Sequence, residues 1–478
     1  MTPRDDRTRL TRTAVLVRDG VALPPAQVRI VHMGLGAFHR AHQAWYTSVV
    51  DADNEWGISA FTGSSLRAAH DLQEQDGLFT LTLRGPVDDQ CIIVPSIVSA
   101  HSGRDSAAFL AALAAPSTAV VTMTITEAGY RLTAEGNPDT ADAVVAADIS
   151  ALREAAVTGR APLVQSALAG LVVGLEARRR AGGDAIAVVP CDNMPGNGEL
   201  VRRGVTALAV ELSVELASWV TTHVSFVSTS VDRITPRMTE YDVDRVGRDT
   251  GWDDRAAVVA EPFSNWILCG DFPAGRPDWH RAGARFVSDI EPFESRKLWL
   301  LNGAHTLLAA LGQLRGHGTV AEAIADPVCS DAVNALWDEA AHHLPAEELD
   351  IDAYRVDLLE RFRNARIEHR LTQIAEDSEL KLRVRIAPVA RRERDAGRDA
   401  DACARAIAAW LVLRSGQTDT GGRLGLDAAG LRSAVRSIDF ELAVDDEFTA
   451  RVTRHVGSLS TARTQPEHDP ASTGGHRP

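Results

Sequence analysis

Val28-Arg-Ile-Val-His-Met33-Gly34-Leu-Gly36-Ala-Phe38-His39-Arg40-Ala-His42-Gln43 decides the fold. Its first six residues are mostly apolar and β-branched, as in a strand buried on both faces. The next three form Gly-x-Gly, and an apolar helical pattern follows. A strand that runs through two glycines into a helix is the dinucleotide-binding arrangement. The first glycine makes the tight turn, and the second lets a pyrophosphate approach backbone N–H groups at the helix N-terminus. The third glycine of that pattern is absent, and His39 stands in its place. Arg40 and His42 can help neutralise a pyrophosphate. His39 and His42 lack a third nearby ligand, so the pair reads as hydrogen-bonded core or phosphate-contacting residues rather than as a metal site, and His39 is counted among the expected cofactor contacts.

Working outward, four more strands end in polar loops: Trp56 to Phe61, Ala119 to Thr126, Ala185 to Cys191 and Val224 to Val231. Glu127, Asp192-Asn193 and Asp232 follow the last three. Helical patterns lie between, at Asp105 to Ala115, Ala161 to Ala181 and Glu199 to Leu212. Strands alternating with helices specify an α/β domain whose ligands bind beyond the carboxyl ends of a parallel sheet. The segment after the second strand, Thr62-Gly-Ser64-Ser65-Leu-Arg67, carries no acid for a ribose 2′-hydroxyl. Its serines and Arg67 suit a 2′-phosphate, so NAD and NADP both remain open.

From about residue 286 helical periods take over, including Val320 to Ala341, Asp352 to Asn364, Asp399 to Leu413 and Glu447 to Ser458. The expected division is a Rossmann-type domain over residues 1–285, a mainly α-helical substrate and catalytic domain over 286–458, and a disordered tail over 459–478. Near the start of the second domain lies Lys297-Leu-Trp-Leu-Leu-Asn302-Gly-Ala-His305-Thr-Leu-Leu-Ala-Ala-Leu311. On an α-helix Asn302 lies about 140° and His305 about 80° round from Lys297. Three polar residues on one side of so apolar a run cost several kcal/mol unless each finds a partner. A Lys in an apolar pocket has its pKa pushed down, which suits a general base.

Composition narrows the class. The 478 residues carry a formal net charge of −15, which opposes nucleic-acid binding, and 45% hydrophobic residues, ordinary for a globular chain. No apolar stretch reaches the ~20 residues of a membrane span, and Met1 to Leu16 has no secretory pattern. Five scattered cysteines without a CxxC point to a reducing cytoplasm and to no zinc site. The oligomeric state is left open, and the sequence is compatible with a monomer.

The string Gly34 to Gln43 resembles the signature of the mannitol dehydrogenase family, the polyol-specific long-chain dehydrogenases that also include fructuronate and tagaturonate reductases. The resemblance continues through Thr126-Glu-Ala-Gly-Tyr130, Cys191-Asp-Asn193, Val231-Asp-Arg-Ile-Thr-Pro236, Glu261-Pro-Phe263, Gly275-Arg-Pro-Asp-Trp279 and the spacing Lys297-x4-Asn302-x2-His305. It implies a Rossmann-type N-terminal domain, a helical C-terminal domain, NAD or NADP as cofactor and no metal. It also implies Lys297 as general base, Asn193 and Asn302 as the pair that polarises the reacting oxygen, and His305 as a substrate-hydroxyl contact. Asp232 is implied beside the site and Glu294 in proton exchange with solvent. Phe38 and Glu127, inside the quoted strings, complete the expected cofactor contacts.

Single residues keep simpler alternatives. Asn193 can cap the helix that follows it, and Asp232 can pair with Arg233 or cap a turn. Glu127 can be a loop acid and Glu294 a first-turn acid. Gln373-Ile-Ala-Glu-Asp377-Ser-Glu-Leu-Lys381 resembles a family segment reading Asp-Gly-Ser-x-Lys, with Ser378 and Glu379 in place of Gly and Ser. Lys381 is the expected substrate ligand there. Lys381, Arg383 and Arg385 either grip a carboxylate or form a solvated basic face. The expected reaction is metal-independent hydride transfer between NAD(P) and a polyol/ketose pair of the mannitol-to-fructose type. The fructuronate/mannonate pair is the nearest rival, and a non-catalytic sugar or nucleotide sensor is the rival of another class.

Overall fold

A computed structural model of the chain describes residues 7–63, 66–417 and 427–464. It divides into two compact units, residues 1–291 and 292–478, six residues later than the change of texture in the sequence.

The first unit is built on six parallel strands: β1 (Val28–Met33), β2 (Gly57–Phe61), β3 (Ile97–His101), β4 (Val120–Met123), β5 (Ile186–Pro190) and β6 (Val224–Phe226). Their spatial order is β3-β2-β1-β4-β5-β6, the doubly wound arrangement in which the chain reverses direction between β1 and β4. Met33, Met123 and Pro190 fall in one register row, so the loops after β1, β4 and β5 begin side by side. Alternate residues feed two cores. Ile30, Val120, Ala187 and Val189 pack on one face with Trp266 and Trp279, and Val31, Val121 and Val188 pack on the other. The second face is covered by helices Ala167–Arg180, Asn197–Leu212 and Val214–His223.

Several expected boundaries moved. The fifth strand divides, with Val224–Phe226 closing the parallel sheet and Ser228–Asp232 pairing antiparallel with Asn265–Cys269 in another sheet. The expected helix from Ala161 begins only at Ala167, where Ser166 accepts the N–H of Ala169 as N-cap. β3 was not anticipated, nor was the Phe79–Arg84/Asp89–Val94 hairpin that extends a smaller sheet.

The second unit is helical. Gly303–Leu314 is its centre, with Gly303 through Gly312 all buried, as expected of a helix apolar on every side. Pro327–Ala341 and Asp401–Gln417 pack against it. The expected helix Val320 to Ala341 breaks into Val320–Ala325 and Pro327–Ala341, because a residue before proline is driven out of the helical region and Asp326 (ψ 120°) caps the second piece. The last described helix runs from Asp446 to Thr464, so residues 459–464, expected in the tail, are helical. Residues 465–478 lie outside the described residues. No helix among the described residues is long and apolar enough to cross a membrane.

Gly34 is the residue on which the cofactor loop turns. Its φ is +103°, and a Cβ there would lie 2.1 Å from the carbonyl oxygen of Thr124. Gly34→Ala is expected to lower the melting temperature and weaken NAD binding at least tenfold, since backbone strain of this kind costs about 1–3 kcal/mol before any clash. Thermal melts and titration of cofactor fluorescence measure both effects.

Candidate active site

The glycine loop is clamped from two sides. The N–H groups of Gly34 and Leu35 donate to Phe61 O at the end of β2, both at 2.9 Å. Thr124 Oγ1, just past β4, donates to Gly34 O at 2.7 Å. Gly36 differs from Gly34: a Cβ on it would meet only Gly34 O, at 3.6 Å. The space beside Gly36 is therefore free for a ligand rather than filled by the fold, and the loop fits a dinucleotide pyrophosphate. The helix that follows opens irregularly, with a π-helical stretch at Arg40–Ala44 before the α-helix Trp45–Val50.

His39 turns into the protein interior. It is wholly buried, and its ring stacks on His32 with centroids 3.3 Å apart. Burial drives both imidazoles neutral, His32 down to about 3 and His39 well below its ordinary value. Of the two readings of His39, core residue and cofactor contact, this burial supports the first. His42 is also internal, with Nε2 3.2 Å from Asn265 O and its ring against Phe38, Tyr46 and Trp266. Arg40 and Phe38 are half-buried beside the loop. Glu127 is exposed at the first turn after β4. Arg67 lies at the start of the helix after β2, with its side chain 86% exposed and 3.5 Å from Asp71. Ser64 and Ser65 lie outside the described residues.

Beyond β5, Asn193 lies three residues ahead of Gly196, the N-cap position of the helix that begins at Asn197, and Gly196 has φ +60°. The neighbours of Asn193 help to hold the loop. Asp192 accepts the Met194 N–H at 2.9 Å, an Asn197 Nδ2–H at 3.3 Å and the Tyr130 hydroxyl. Asn197 also bonds Thr229 in both directions, Nδ2 to Thr229 O at 3.0 Å and Thr229 N–H to Asn197 Oδ1 at 2.8 Å. Burial raises the pKa of Asp192, and burial with the adjacent Asp192 charge raises that of Tyr130. Asp232 ends the Ser228–Asp232 strand, buried and in register with Asn265. The Arg233 side chain turns away to Glu261 O and Ala41 O and stacks over Trp45. Glu261 accepts the Ile234 N–H, and Trp279 donates to Thr47 Oγ1. The motifs around Glu261 and Trp279 thus buttress the loops.

In the second unit the expected α-helix at Lys297 is a π-helical turn, Lys297–Asn302, entered from α-helix Glu291–Arg296 and left into Gly303–Leu314. The Gly303 N–H reaches back five residues to Leu298 O. A π turn rotates each residue by about 85° rather than about 100°, so Asn302 comes to about 65° from Lys297 and His305 almost into line with it. The irregular backbone is supported by Trp337, whose indole N–H donates to Leu300 O at 2.8 Å, and by buried Arg296, which donates to Leu349 O and stacks on Tyr354. Lys297, Asn302 and Glu294 are half-buried. His305 is buried, and its Nε2 has no hydrogen-bond partner. Its ring packs on Phe362 and His369, and burial, with His369, Arg361 and Arg385 nearby, holds its pKa well below the ordinary value.

The three basic residues at 381–385 separate. Lys381 Nζ donates to Ile374 O at 2.9 Å and Glu376 O at 2.5 Å, closing the turn at Asp377, which has φ +52°. Arg383 is exposed and pairs with Glu379 at 3.0 Å. Arg385 is half-buried and reaches Thr306 Oγ1 at 3.1 Å and Asn302 O at 3.4 Å. Thr124, Thr306 and His369 carried no sequence signal beyond being polar between apolar neighbours.

A doubly wound nucleotide-binding unit and a helical unit carrying Lys297, Asn302 and His305 define a dinucleotide-dependent oxidoreductase. The descriptions "Mannitol dehydrogenase Rossmann domain" and "Mannitol dehydrogenase C-terminal domain" match residues 28–281 and 289–439. D-mannonate oxidoreductase of Escherichia coli (strain K12) is 35% identical over 406 residues, covering 83% of this chain and 82% of that one. Pseudomonas fluorescens mannitol 2-dehydrogenase, in a ternary complex with NAD and D-mannitol, aligns with a TM-score of 0.77 at 30% identity over 95% of this chain and 97% of that one. D-sorbitol dehydrogenase aligns with a TM-score of 0.84 at 27% identity over 95% and 99%. The chain belongs to the mannitol dehydrogenase family, and it is an NAD(P)-dependent oxidoreductase acting on the CH–OH group of polyols or sugar acids.

Two outcomes follow for the first unit. Tyr130→Phe leaves a buried carboxylate short of one donor, a loss of about 1.5–3 kcal/mol. It is expected to lower kcat while NAD affinity stays within about threefold, read by steady-state kinetics and cofactor titration. Arg67→Asp replaces with an acid the cation that the sequence assigns to a 2′-phosphate, and on that assignment the NADPH/NADH ratio of kcat/KM is expected to fall about tenfold.

Proposed function

We propose that the chain oxidises a secondary hydroxyl of an acyclic six-carbon polyol or sugar acid, with Lys297 as general base and Asn302 and His305 on the substrate. The observation that supports this reading best is the π turn, which gathers half-buried Lys297 and Asn302 on the face of His305, whose Nε2 is buried and without a partner. Fold architecture gains nothing from that set, and a sensor of sugars has no need of a base.

A secondary alcohol gives up hydride readily only as its proton departs. Neutral Lys297 Nζ accepts the hydroxyl proton, and the oxygen gathers negative charge as the carbon–hydrogen pair leaves. The Asn302 amide N–H groups donate to that oxygen, and one such donor typically contributes about 3 kcal/mol in the transition state. His305, kept neutral by burial, offers a ring nitrogen to a substrate hydroxyl. NAD, when bound, supplies the hydride acceptor. Asn193, Asp232 and Glu294 are assigned the roles the family resemblance implies, as amide donor, neighbouring acid and proton exchanger. The mannitol/fructose and mannonate/fructuronate pairs share the reacting CHOH beside a terminal CH2OH and differ at the far end of the chain. All five cysteines are free, which supports the cytoplasmic placement.

Among the described residues, His317, Asp326 and Cys329 form a trio with metal-ligand spacing, but Asp326 is engaged by Arg315 as well as His317. We assign it no metal, and turnover is expected to survive prolonged EDTA treatment. Loss on chelation with recovery on added zinc would contradict this. Lys297→Ala is expected to reduce kcat at least about 1,000-fold with NAD affinity retained, the usual scale for loss of a catalytic base being about 100- to 10,000-fold. Oxidation by the wild type is expected to rise with pH, because only the neutral amine takes a proton. Near-normal turnover in Lys297→Ala would remove the assignment.

A further inference from the structure

We propose that Arg385 marks a carboxylate subsite beside the reacting group, and that the substrate is a six-carbon sugar acid rather than a neutral polyol. The proposal rests on the reading of Lys297 and Asn302 as the reaction centre and decides what that reading leaves open.

Arg385 is the one member of its basic trio turned toward Asn302. Lys381 is committed to two backbone carbonyls of its own turn and Arg383 to Glu379. The guanidinium of Arg385 donates twice, both times from Nη1 to neutral oxygens, and its Nε is buried without a partner among the described residues. Burial alone shifts its pKa, down to about 10, with no acidic group acting in the opposite sense. A guanidinium in that position is costly, since charge withdrawn from water needs a counter-charge.

The surroundings make the deficit larger. His305 Nε2 and His369 Nδ1 are likewise buried without partners, and Arg361 lies close enough to depress the basicity of both rings. Two neutral imidazoles and a desolvated guanidinium therefore share one neighbourhood in which, among the described residues, no carboxylate acts on Arg385. A ligand carboxylate supplies what is missing. It accepts two parallel N–H bonds from an arginine, and the imidazoles can donate to it or to hydroxyls along the chain. A neutral polyol would fill the same space and leave the arginine uncompensated.

The length scale agrees. Thr306, which Arg385 contacts, lies one helical turn beyond Asn302, about 5–6 Å along the axis. The carboxyl carbon of a 2,3,4,5,6-pentahydroxyhexanoate stands four carbon–carbon bonds from C5, about 5 Å in an extended chain with bonds of about 1.5 Å. A substrate whose C5 oxygen is held at Asn302 thus brings its carboxylate to Arg385.

The test compares kcat/KM for D-mannonate, its neutral amide D-mannonamide and D-mannitol, with NAD and with NADP, in wild type, Arg385→Gln and Arg385→Lys. The wild type is expected to favour the acid over both neutral compounds by about 100-fold, the scale of a charge-assisted pair. Arg385→Gln is expected to collapse that preference below about tenfold, with Arg385→Lys in between. A wild type that shows no preference for mannonate over its amide overturns the subsite, and this comparison needs no variant to fold. Arg385→Gln lowering all three compounds equally would also overturn it, by assigning Arg385 to support of the turn at Asn302. In both cases turnover persists and depends on Lys297, so the reaction centre stands. Absence of nicotinamide reduction with any of the three compounds would instead remove the reaction centre, and the subsite with it.

Discussion

The carbonyl oxygen of Thr124 occupies the place where residue 34 would carry a Cβ, 2.1 Å from it. This exclusion follows from the parallel register of β1 and β4, in which Met33 stands beside Met123, so the two chains leave the sheet together. With glycine at 34 the first loop can fold over the second, and Thr124 Oγ1 closes the contact on Gly34 O. The loop after β5 takes its place from the same row. Pro190 completes the row beside Met123, the loop from Cys191 begins there, and Tyr130 reaches across from the β4 loop to Asp192. The glycine loop and the Asn193 loop are thereby parts of one hydrogen-bonded assembly.

What the sequence disclosed was governed by short-range rules. The strand at Val28, the glycines and the alternation of strands with helices depend on periodicity and backbone sterics, and they were legible. The handover to helices after residue 286 was legible in the same way, although the compact units divide six residues later. Two kinds of feature were not legible. One is irregular helix: Lys297–Asn302 and Arg40–Ala44 read as ordinary amphipathic runs, because nothing in composition distinguishes a five-residue hydrogen-bonded turn from a four-residue one. The other is the destination of a polar side chain. His39 stood at a motif position and faced the protein interior, stacked on His32, because the apolar core, not the motif, set its rotation.

The π turn shows how a local penalty can be held in place. Widening a helix by one residue weakens its ladder, and such turns persist where neighbouring groups compensate them. Here the indole of Trp337 bonds to the Leu300 carbonyl inside the turn and the guanidinium of Arg296, just ahead of it, bonds to Leu349 O, while Gly303 through Gly312 anchor it in a buried stretch of helix. The anchoring matters for chemistry. The proposed base and amide donor, which would hold a reacting hydroxyl to within fractions of an ångström, are best mounted on a rigid element, since misplacement of about 1 Å can lower a rate about 100-fold.

Placement also explains why equal residue types on one short helix do unequal work. Lys381, Arg383 and Arg385 alternate along Ser378–Arg385, and an α-helix carries residues two apart to nearly opposite sides. Arg383 therefore faces solvent and finds Glu379, four residues back on its own side. Lys381 and Arg385, four apart, share the inner face. The first of these is consumed by the tight turn at Asp377, where its ammonium holds the carbonyls of Ile374 and Glu376. Only Arg385 is left against Asn302 and Thr306, and its charge is the one on that face not balanced by the fold itself. A protein does not retain such a charge for stability, because an apolar residue of similar volume would pack there at no electrostatic cost. In the proposed carboxylate subsite its counter-charge comes from the bound molecule.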